Sequence, residues 1–249
     1  MFSLQGKTAV VTGCGAGLGQ AMAIGLARAG ANIVGIDIAS MQQTQHGVEA
    51  ENAEFCAIQG NLMDFDSYPS LMRQCADAFG RIDIVVNNAG LIRRAPVLEF
   101  TRKDWDDVLN LNLKAVFFWS QEAGRVFRDQ GAGGKIINIA SMLSFQGGIR
   151  VPSYTASKSG VMGLTRLLAN ELACYGIQVN AIAPGYFATA ATQALQDDEE
   201  RSREILSRIP AGRWGKPDDL QGTCVFLASA ASDYVTGYTV AVDGGWLAR

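Results

Sequence analysis

Tyr154 and Lys158 stand four residues apart in a stretch that begins at Ser141 and reads S-M-L-S-F-Q-G-G-I-R-V-P-S-Y-T-A-S-K. On a helix that spacing puts both side chains on one face, one turn apart. A phenol is a poor base at neutral pH because its ordinary pKa is about 10. An ammonium within a few ångströms favours the phenolate and lowers that value by roughly 1–3 units. Bringing it from about 10 to near 7 takes roughly 4 kcal/mol, which one lysine plus a cationic cofactor ring could supply. A hydroxyl at Ser141, a tunable phenol and a lysine suit proton transfer to or from a carbonyl or alcohol oxygen. The same spacing would also arise by chance on a solvated helix face, so the rest of the chain has to decide.

The elements that would position these groups are readable from the pattern. Pro152 presets a helical φ and the Ser153 hydroxyl is a candidate cap, so a helix is expected to start there. Apolar residues at Val161, Leu164, Leu167, Leu168 and Leu172 carry it on at helical spacing. The run Lys135 to Ala140 predicts a strand ending at Ser141.

Near the start, Lys7 to Thr12 predicts a short apolar strand, followed by Gly13-Cys14-Gly15-Ala16-Gly17-Leu18-Gly19 and a helical run from Gln20 to Ala29. Strand, glycine loop and helix together make a phosphate site, because glycine lets the backbone approach and the helix start presents free N–H groups. The spacing is T-G-x-x-x-G-x-G at 12–19, with Leu18 where the commoner dinucleotide pattern has its third glycine. A second strand, Asn32 to Ile38, carries Asp37 near its end, where an acid can bind the ribose hydroxyls and repel a 2′-phosphate. With Ala16 instead of a basic residue in the loop, this favours NAD over NADP. Asp37 would alternatively cap the next turn.

Further strands are expected at Glu54 to Gln59, Ile82 to Val86, Ile177 to Ile182 and Thr239 to Val242, with helices from about Ser67 to Phe79 and Lys216 to Ala230. Asn61, Leu62 and Asp64 fall on the adenine side. Asn87-Asn88-Ala89-Gly90 ends a strand at the crevice where open parallel sheets bind ligands. Thr101 to Arg128 carries a long helical pattern with Asn112 as a polar intruder, either a satisfied structural amide or part of a relay. Phe187 to Trp214, with the acidic run Asp197 to Glu200, reads as a helical flap over the pocket. Strand and helix patterns alternate over 1–249 without a linker or repeat, which predicts one doubly wound α/β domain.

Composition limits the alternatives. The 249 residues are 48% hydrophobic with 28 glycines, as a large core with many tight turns requires, and the net charge of −3 argues against a nucleic-acid surface. Neither a basic region followed by an apolar stretch nor an uncharged run of about 18 apolar residues is present, so neither a secretory signal nor a membrane span is expected. Five scattered cysteines fit neither disulfides nor metal spacing and suggest buried thiols in a cytoplasmic protein; no metal site is expected. A single histidine, His46, excludes a histidine-rich zinc site.

The T-G-x-x-x-G-x-G loop, N-N-A-G at 87–90, Asn112, Ser141, Tyr154 with Lys158, P-G at 184–185 and D-G-G at 243–245 together resemble the short-chain dehydrogenase/reductase family over the full length. The resemblance implies a single Rossmann-type domain and an oxidoreductase. Tyr154 would be its general acid/base and Ser141 the hydrogen-bond partner of the reacting oxygen. Lys158 would lower the tyrosine pKa and bind the nicotinamide ribose, and Asn112 would hold a relay water. Gly13, Gly15, Gly17, Leu18, Gly19, Asp37, Asn61, Leu62, Asn88, Ala89, Gly90, Pro184, Gly185, Phe187 and Thr189 would join Tyr154 and Lys158 around NAD. Asn61 departs from the acid many members carry. It also implies a homotetramer with the Tyr154 and Asn112 helices across an interface. L-I-R-R at 91–94, F-Q-G-G-I-R-V-P-S-Y at 145–154 and R-I-P-A-G-R-W-G at 208–215 resemble family members acting on deoxy-keto-sugar acids of uronate breakdown. The substrate set is then Arg93, Arg94, Gln146, Arg150 and Tyr186 with Ser141 and Tyr154. A guanidinium fork suits a carboxylate, and Arg150 is favoured. The alternatives are an alginate-derived keto-deoxy-uronate, a 3-oxoacyl thioester, and a non-catalytic NAD sensor.

Overall fold

The computed structural model describes residues 1–249. Its seven strands are β1 (Thr8–Thr12), β2 (Asn32–Asp37), β3 (Phe55–Gln59), β4 (Ile84–Asn87), β5 (Gly134–Ile139), β6 (Ile177–Pro184) and β7 (Thr239–Val242). They form one sheet in the order β3-β2-β1-β4-β5-β6-β7, every pairing parallel. The helices are α1 (Gly17–Arg28), α2 (Gln42–Glu49), α3 (Tyr68–Phe79), α4 (Arg102–Leu109), α5 (Ala115–Gln130), α6 (Pro152–Leu172), α7 (Gln193–Asp197), α8 (Glu199–Arg208) and α9 (Gln221–Ala228).

The strands were legible because a parallel sheet is covered on both faces, so its strands read as unbroken apolar runs. β1 is buried at every residue. Successive strand side chains point to opposite faces, and the core divides accordingly. Val11 packs with Leu26, Ile33 and Leu227 on one face, and Val10 with Leu71, Trp119 and Phe127 on the other. Strand order reverses between β1 and β4, and their carboxyl ends open the crevice there.

Three local expectations are corrected. The Thr101 to Arg128 pattern is not one α-helix: a π-turn over Asn110–Lys114 separates α4 from α5. Helix α2 has no counterpart in the sequence reading, because it buries only Thr44 and Val48 and so shows no apolar stripe. Ser153 does not cap α6. The cap position is Val151, Pro152 takes the first turn as expected, and the Ser153 hydroxyl is buried without a partner.

A chain of buried polar groups crosses the core. Asn87 Nδ2 donates to Ser120 Oγ at 2.8 Å and to Asn138 Oδ1 at 2.7 Å, and Asn138 Nδ2 donates to Thr165 Oγ1 at 3.0 Å. It ties β4 and β5 to α5 and α6, since each amide left alone would carry a desolvation penalty.

At the end of β1 the chain turns at Gly13 with φ +66°, where a side chain would also meet the Ala89 Cα at 2.7 Å. A β-carbon on Gly19 would be driven into the Gly13 carbonyl and the Asn88 amide. Gly19→Ala is therefore expected to destabilise the protein by about 1–3 kcal/mol through overpacking, read as a fall in the urea midpoint. An unchanged midpoint would show that α1 can move away from β4.

Candidate active site

Three elements deliver the chemistry to the crevice. β5 ends at Ile139, and the chain places Ser141 two residues on, its Oγ accepting from the Leu143 amide at 3.1 Å. The first turns of α6 carry Tyr154 and Lys158, as their spacing predicts. The loop after β4 brings Arg93 and Arg94 to the same side.

Lys158 is only 4% exposed and donates from Nζ to the Ile139 carbonyl at 2.6 Å. Burial pulls its ammonium down from 10.5 to about 8. It lies 5.6 Å from the Tyr154 ring centroid. Burial raises the Tyr154 phenol above its ordinary value, while the Ser141 hydroxyl and the Arg94 charge act to lower it. The groups that act to lower the phenol are Ser141 and Arg94, and the Lys158 ammonium is turned onto the backbone. Tyr154 as a whole residue is half-buried.

The arginines separate. Arg93 pairs with Asp104 at 3.3 Å and is a structural ion pair. Arg94 reaches from the loop after β4 to the flap, its Nη2 donating to the Ala191 carbonyl at 3.3 Å. Arg150, favoured from sequence, has an exposed side chain and a backbone φ of +64°, and its carbonyl accepts from Ala95 N at 3.0 Å. Gln146 sits half-buried in the same loop. Tyr186 packs edge-on against Trp214 and Trp246, with centroids 5.5 and 4.9 Å away.

The Asn112 side chain is bonded within the chain. Its Oδ1 accepts from Leu91 N and its Nδ2 donates to Leu91 O, both at 2.9 Å, with a longer bond of 3.4 Å to Ser157 Oγ. The π-turn aims this fully buried amide at the loop that carries Arg93 and Arg94, and its side chain is committed to that loop's backbone.

The residues expected around a dinucleotide line the carboxyl ends of β1, β2, β4 and β6. Helix α1 begins after Ala16, which has no side chain able to cap it, so its first-turn amides at Gly17, Leu18 and Gly19 are open to an anion. Asp37 accepts from Gly15 N at 2.8 Å and from Ala39 N at 2.9 Å, so it closes its own turn and also braces the glycine loop. A bound pyrophosphate fits this loop and a ribose fits the Asp37 carboxylate.

Several expected cofactor side chains are otherwise engaged. The Asn88 amide donates to the carbonyls of Thr12 and Gly13 at 3.0 and 2.8 Å, leaving only the backbone of Asn88, Ala89 and Gly90 at the crevice. Asn61 accepts from Met63 N at 2.9 Å, Leu62 is in the core, and Phe187 is 4% exposed and packed beside Gly215. Gly185 donates its N–H to Val242 O at 3.0 Å, following Pro184 at the end of β6. The Thr189 amide donates to Thr192 Oγ1 at 3.1 Å at the base of the flap.

Thr12 was not singled out by type. Its Oγ1 accepts from the amides of Asn88 and Ala89, each at 3.1 Å, and so fixes the floor of the crevice between β1 and β4. A threonine after an apolar strand is too common to carry that signal. Burial holds the thiols of Cys14, Cys75 and Cys224 at about 12, which removes them as nucleophiles, while Cys174 is exposed against expectation. No cluster able to hold a metal ion occurs, and no helix is long and apolar enough to cross a membrane.

The family model described as enoyl-(acyl carrier protein) reductase matches residues 13–247. The 2-dehydro-3-deoxy-D-gluconate 5-dehydrogenase of Escherichia coli K12 is 66% identical over 248 residues, covering 100% of this chain and 98% of the relative. A structure provisionally assigned as 2-deoxy-D-gluconate 3-dehydrogenase from Agrobacterium tumefaciens, with bound NADP, superposes with a TM-score of 0.94 at 52% identity, covering 100% of this chain and 99% of the other. The gluconate 5-dehydrogenase of Burkholderia cenocepacia J2315, in complex with NADP and tartrate, gives a TM-score of 0.94 at 39% identity and covers 100% and 98%.

The lysine supplies a test with a definite sign. Its folded value of about 8 lies below the unfolded 10.5, so its charge opposes folding fully below pH 8. That penalty fades between the two values as the unfolded chain binds the extra proton. Measured without added nucleotide, the stability of the native chain relative to Lys158→Met is expected to rise by about 3 kcal/mol from pH 8 to 10.5, at 1.36 per unit. A pH-independent difference would show that the ammonium is not destabilised by its burial.

Proposed function

The chain belongs to the short-chain dehydrogenase/reductase family, and from that premise we propose that it moves a hydride between NAD(H) and a keto or hydroxyl carbon of a deoxy-keto-sugar acid. The observation that carries this reading is the assembly of Ser141 after β5 with Tyr154 and Lys158 on the first turns of α6, joined by the Lys158 bond to the Ile139 carbonyl, with Arg94 reaching toward the flap from the loop after β4. Proton donor, hydrogen-bond partner and carboxylate receptor then face one small acidic substrate.

In the reductive direction the Ser141 hydroxyl and the Tyr154 phenol hold the carbonyl oxygen. Tyr154 gives that oxygen its proton as the carbon is reduced, and recovers it in oxidation. The nicotinamide nucleotide supplies or accepts the hydride when bound. The α1 amides would hold its pyrophosphate, Asp37 its adenosine ribose, and the backbone of 88–90 and 184–189 its nicotinamide half. Lys158, already beside the end of β5, orients Tyr154 and reaches the nicotinamide ribose. Asn112 positions the arginine loop through Leu91.

The choice of NAD rests on Asp37, whose carboxylate would repel a 2′-phosphate, and on the absence of a basic residue at Ala16. Similar structures hold NADP, so the two nucleotides are compared directly in the assay below. The 187–214 segment serves as the flap over the substrate. An exposed apolar groove with Leu113, Phe117, Phe118, Leu164 and Leu167 on the α5–α6 face supports a homotetramer with these helices across an interface. Unpaired cysteines suit a reducing compartment, the cytoplasm.

The deciding assay compares NADH and NADPH oxidation with 5-keto-deoxyuronates, alginate-derived keto-deoxy-uronates and acetoacetyl thioesters. NADH-dependent turnover of the sugar acids is expected. Turnover of thioesters with NADPH would overturn both the substrate and the cofactor.

Arg94 gives a second prediction. Arg94→Ala is expected to raise KM for the acidic sugar roughly ten- to a hundredfold, the value of one charge-assisted contact. Because the Arg94 charge lowers the phenol pKa, its loss is also expected to move the acid limb of the oxidation profile to higher pH. An Arg150→Ala variant with the larger KM effect would return the carboxylate to Arg150.

A further inference from the structure

The last seven residues hold the flap in place from behind. β7 runs into Asp243, whose carboxylate accepts from Gly245 N and Leu247 N, both at 2.9 Å, and so folds the end of the chain into a tight turn. That turn presents Trp246, only 4% exposed, to the far end of α8. The Arg208 guanidinium lies 3.9 Å over the indole, and Ile205 and Ile209 pack in the same cluster. Two polar ties flank the ring: Ala211 N donates to Gly244 O at 3.0 Å, and Arg249 Nη2 donates to Ser207 O at 2.8 Å.

The same cluster reaches the neighbour of a reacting group. Trp246 shares its cluster with Met142, the residue after Ser141, and with Tyr186 at the end of β6. The cluster is separate from the two main core layers, so α8 is seated by this patch and not by the body of the sheet. The indole N–H is buried without a partner. Its contribution is therefore the ring's surface, not a hydrogen bond.

We propose that Trp246 is a positioning residue: packed between Met142 and α8, it sets the height of the flap over Ser141 and thereby the affinity for substrate, leaving nucleotide binding untouched. Of the nucleotide-facing elements, α1 and the ends of β1, β2 and β4 lie outside this cluster, and from the 184–189 segment only Tyr186 joins it, through its ring and not the backbone assigned to the nucleotide, which is what separates the two affinities. The assignment goes beyond the proposed reaction and does not depend on which sugar acid reacts.

The test uses the full-length protein with Trp246→Phe, Trp246→Ala, and the pair Arg208→Ala with Arg249→Ala. Three quantities are read: trypsin cleavage after Arg201 and Arg203 in α8, NADH affinity by fluorescence, and KM against kcat with 2-dehydro-3-deoxy-D-gluconate and its 5-keto counterpart. Trp246→Ala is expected to speed flap cleavage and raise KM about tenfold or more, since truncating a buried tryptophan frees what packs on it. NADH affinity stays at its native value and kcat falls less than KM rises. Trp246→Phe keeps the ring and is expected to behave as the native chain. The arginine pair, which leaves the ring in place, is expected to speed cleavage in the same direction.

Unchanged cleavage in Trp246→Ala would overturn the proposal. So would a Phe variant as damaged as the Ala variant, or a loss of NADH affinity in step with the rise in KM. If the native chain turns over neither sugar acid, the substrate reading fails, and the cleavage and NADH measurements still decide the role of Trp246.

Discussion

A lysine ammonium taken out of water has to find oxygen, and Lys158 finds it at the Ile139 carbonyl 2.6 Å away. That single bond fixes one helix against the last residue of the strand that leads to Ser141. Ser144 Oγ reinforces the joint by donating to the Lys158 carbonyl at 2.6 Å. Hydroxyl, phenol and ammonium are thereby set by one junction between β5 and α6. The interior bonds of Asn87, Asn138 and Thr165 continue the junction into the core. The unfavourable burial of a charge is accepted at the position where the charge is needed, as functional sites commonly require.

The electrostatics of the crevice divide between holding and tuning. Lys158 holds. Arg94, on a loop braced by Asn112, tunes the phenol and at the same time reaches the flap through Ala191. A substrate carboxylate that takes over Arg94 would draw on the same charge that lowers the tyrosine and would compete with the contact that steadies the flap. In the proposed reaction, recognition of an acid, proton transfer and flap order would therefore be coupled through one side chain.

What could be read from the sequence follows the physics of each signal. The strands were visible because burial on both faces makes them continuous apolar runs, and the glycine loop because Gly13 and Gly19 admit no β-carbon. Tyr154 and Lys158 were visible because four residues make one helical turn. The amides were not. Nothing in the letters Asn88 or Asn61 says whether an amide meets a ligand or its own backbone, and both bond backbone groups here. The arginines were interchangeable on paper, and only the tertiary neighbours Asp104 and Ala191 separate Arg93 from Arg94. The π-turn at Asn110–Lys114 left no mark, because one extra residue in a turn barely disturbs an apolar pattern. Ser153 had the right type for a cap but lies two residues past the cap position, Val151.

The strand order also bears on how the chain is made. β1, synthesised first, ends up in the interior of the sheet, with β2 and β3 laid to one side of it and β4, β5, β6 and β7 to the other in the order of their synthesis. Every strand after the first joins an edge that already exists, and none has to be inserted between two that have paired. A chain emerging from the ribosome can therefore build this sheet outward as it lengthens, each new strand covering the open edge of the strand before it, except β4, which covers the free edge of β1. Parallel pairings separated by whole helices fold slowly and leave edges exposed to other chains meanwhile. Vectorial growth leaves only one new edge open at a time after β4, and the charged pair of Lys135 with Asp233 lies beside the edge closed last.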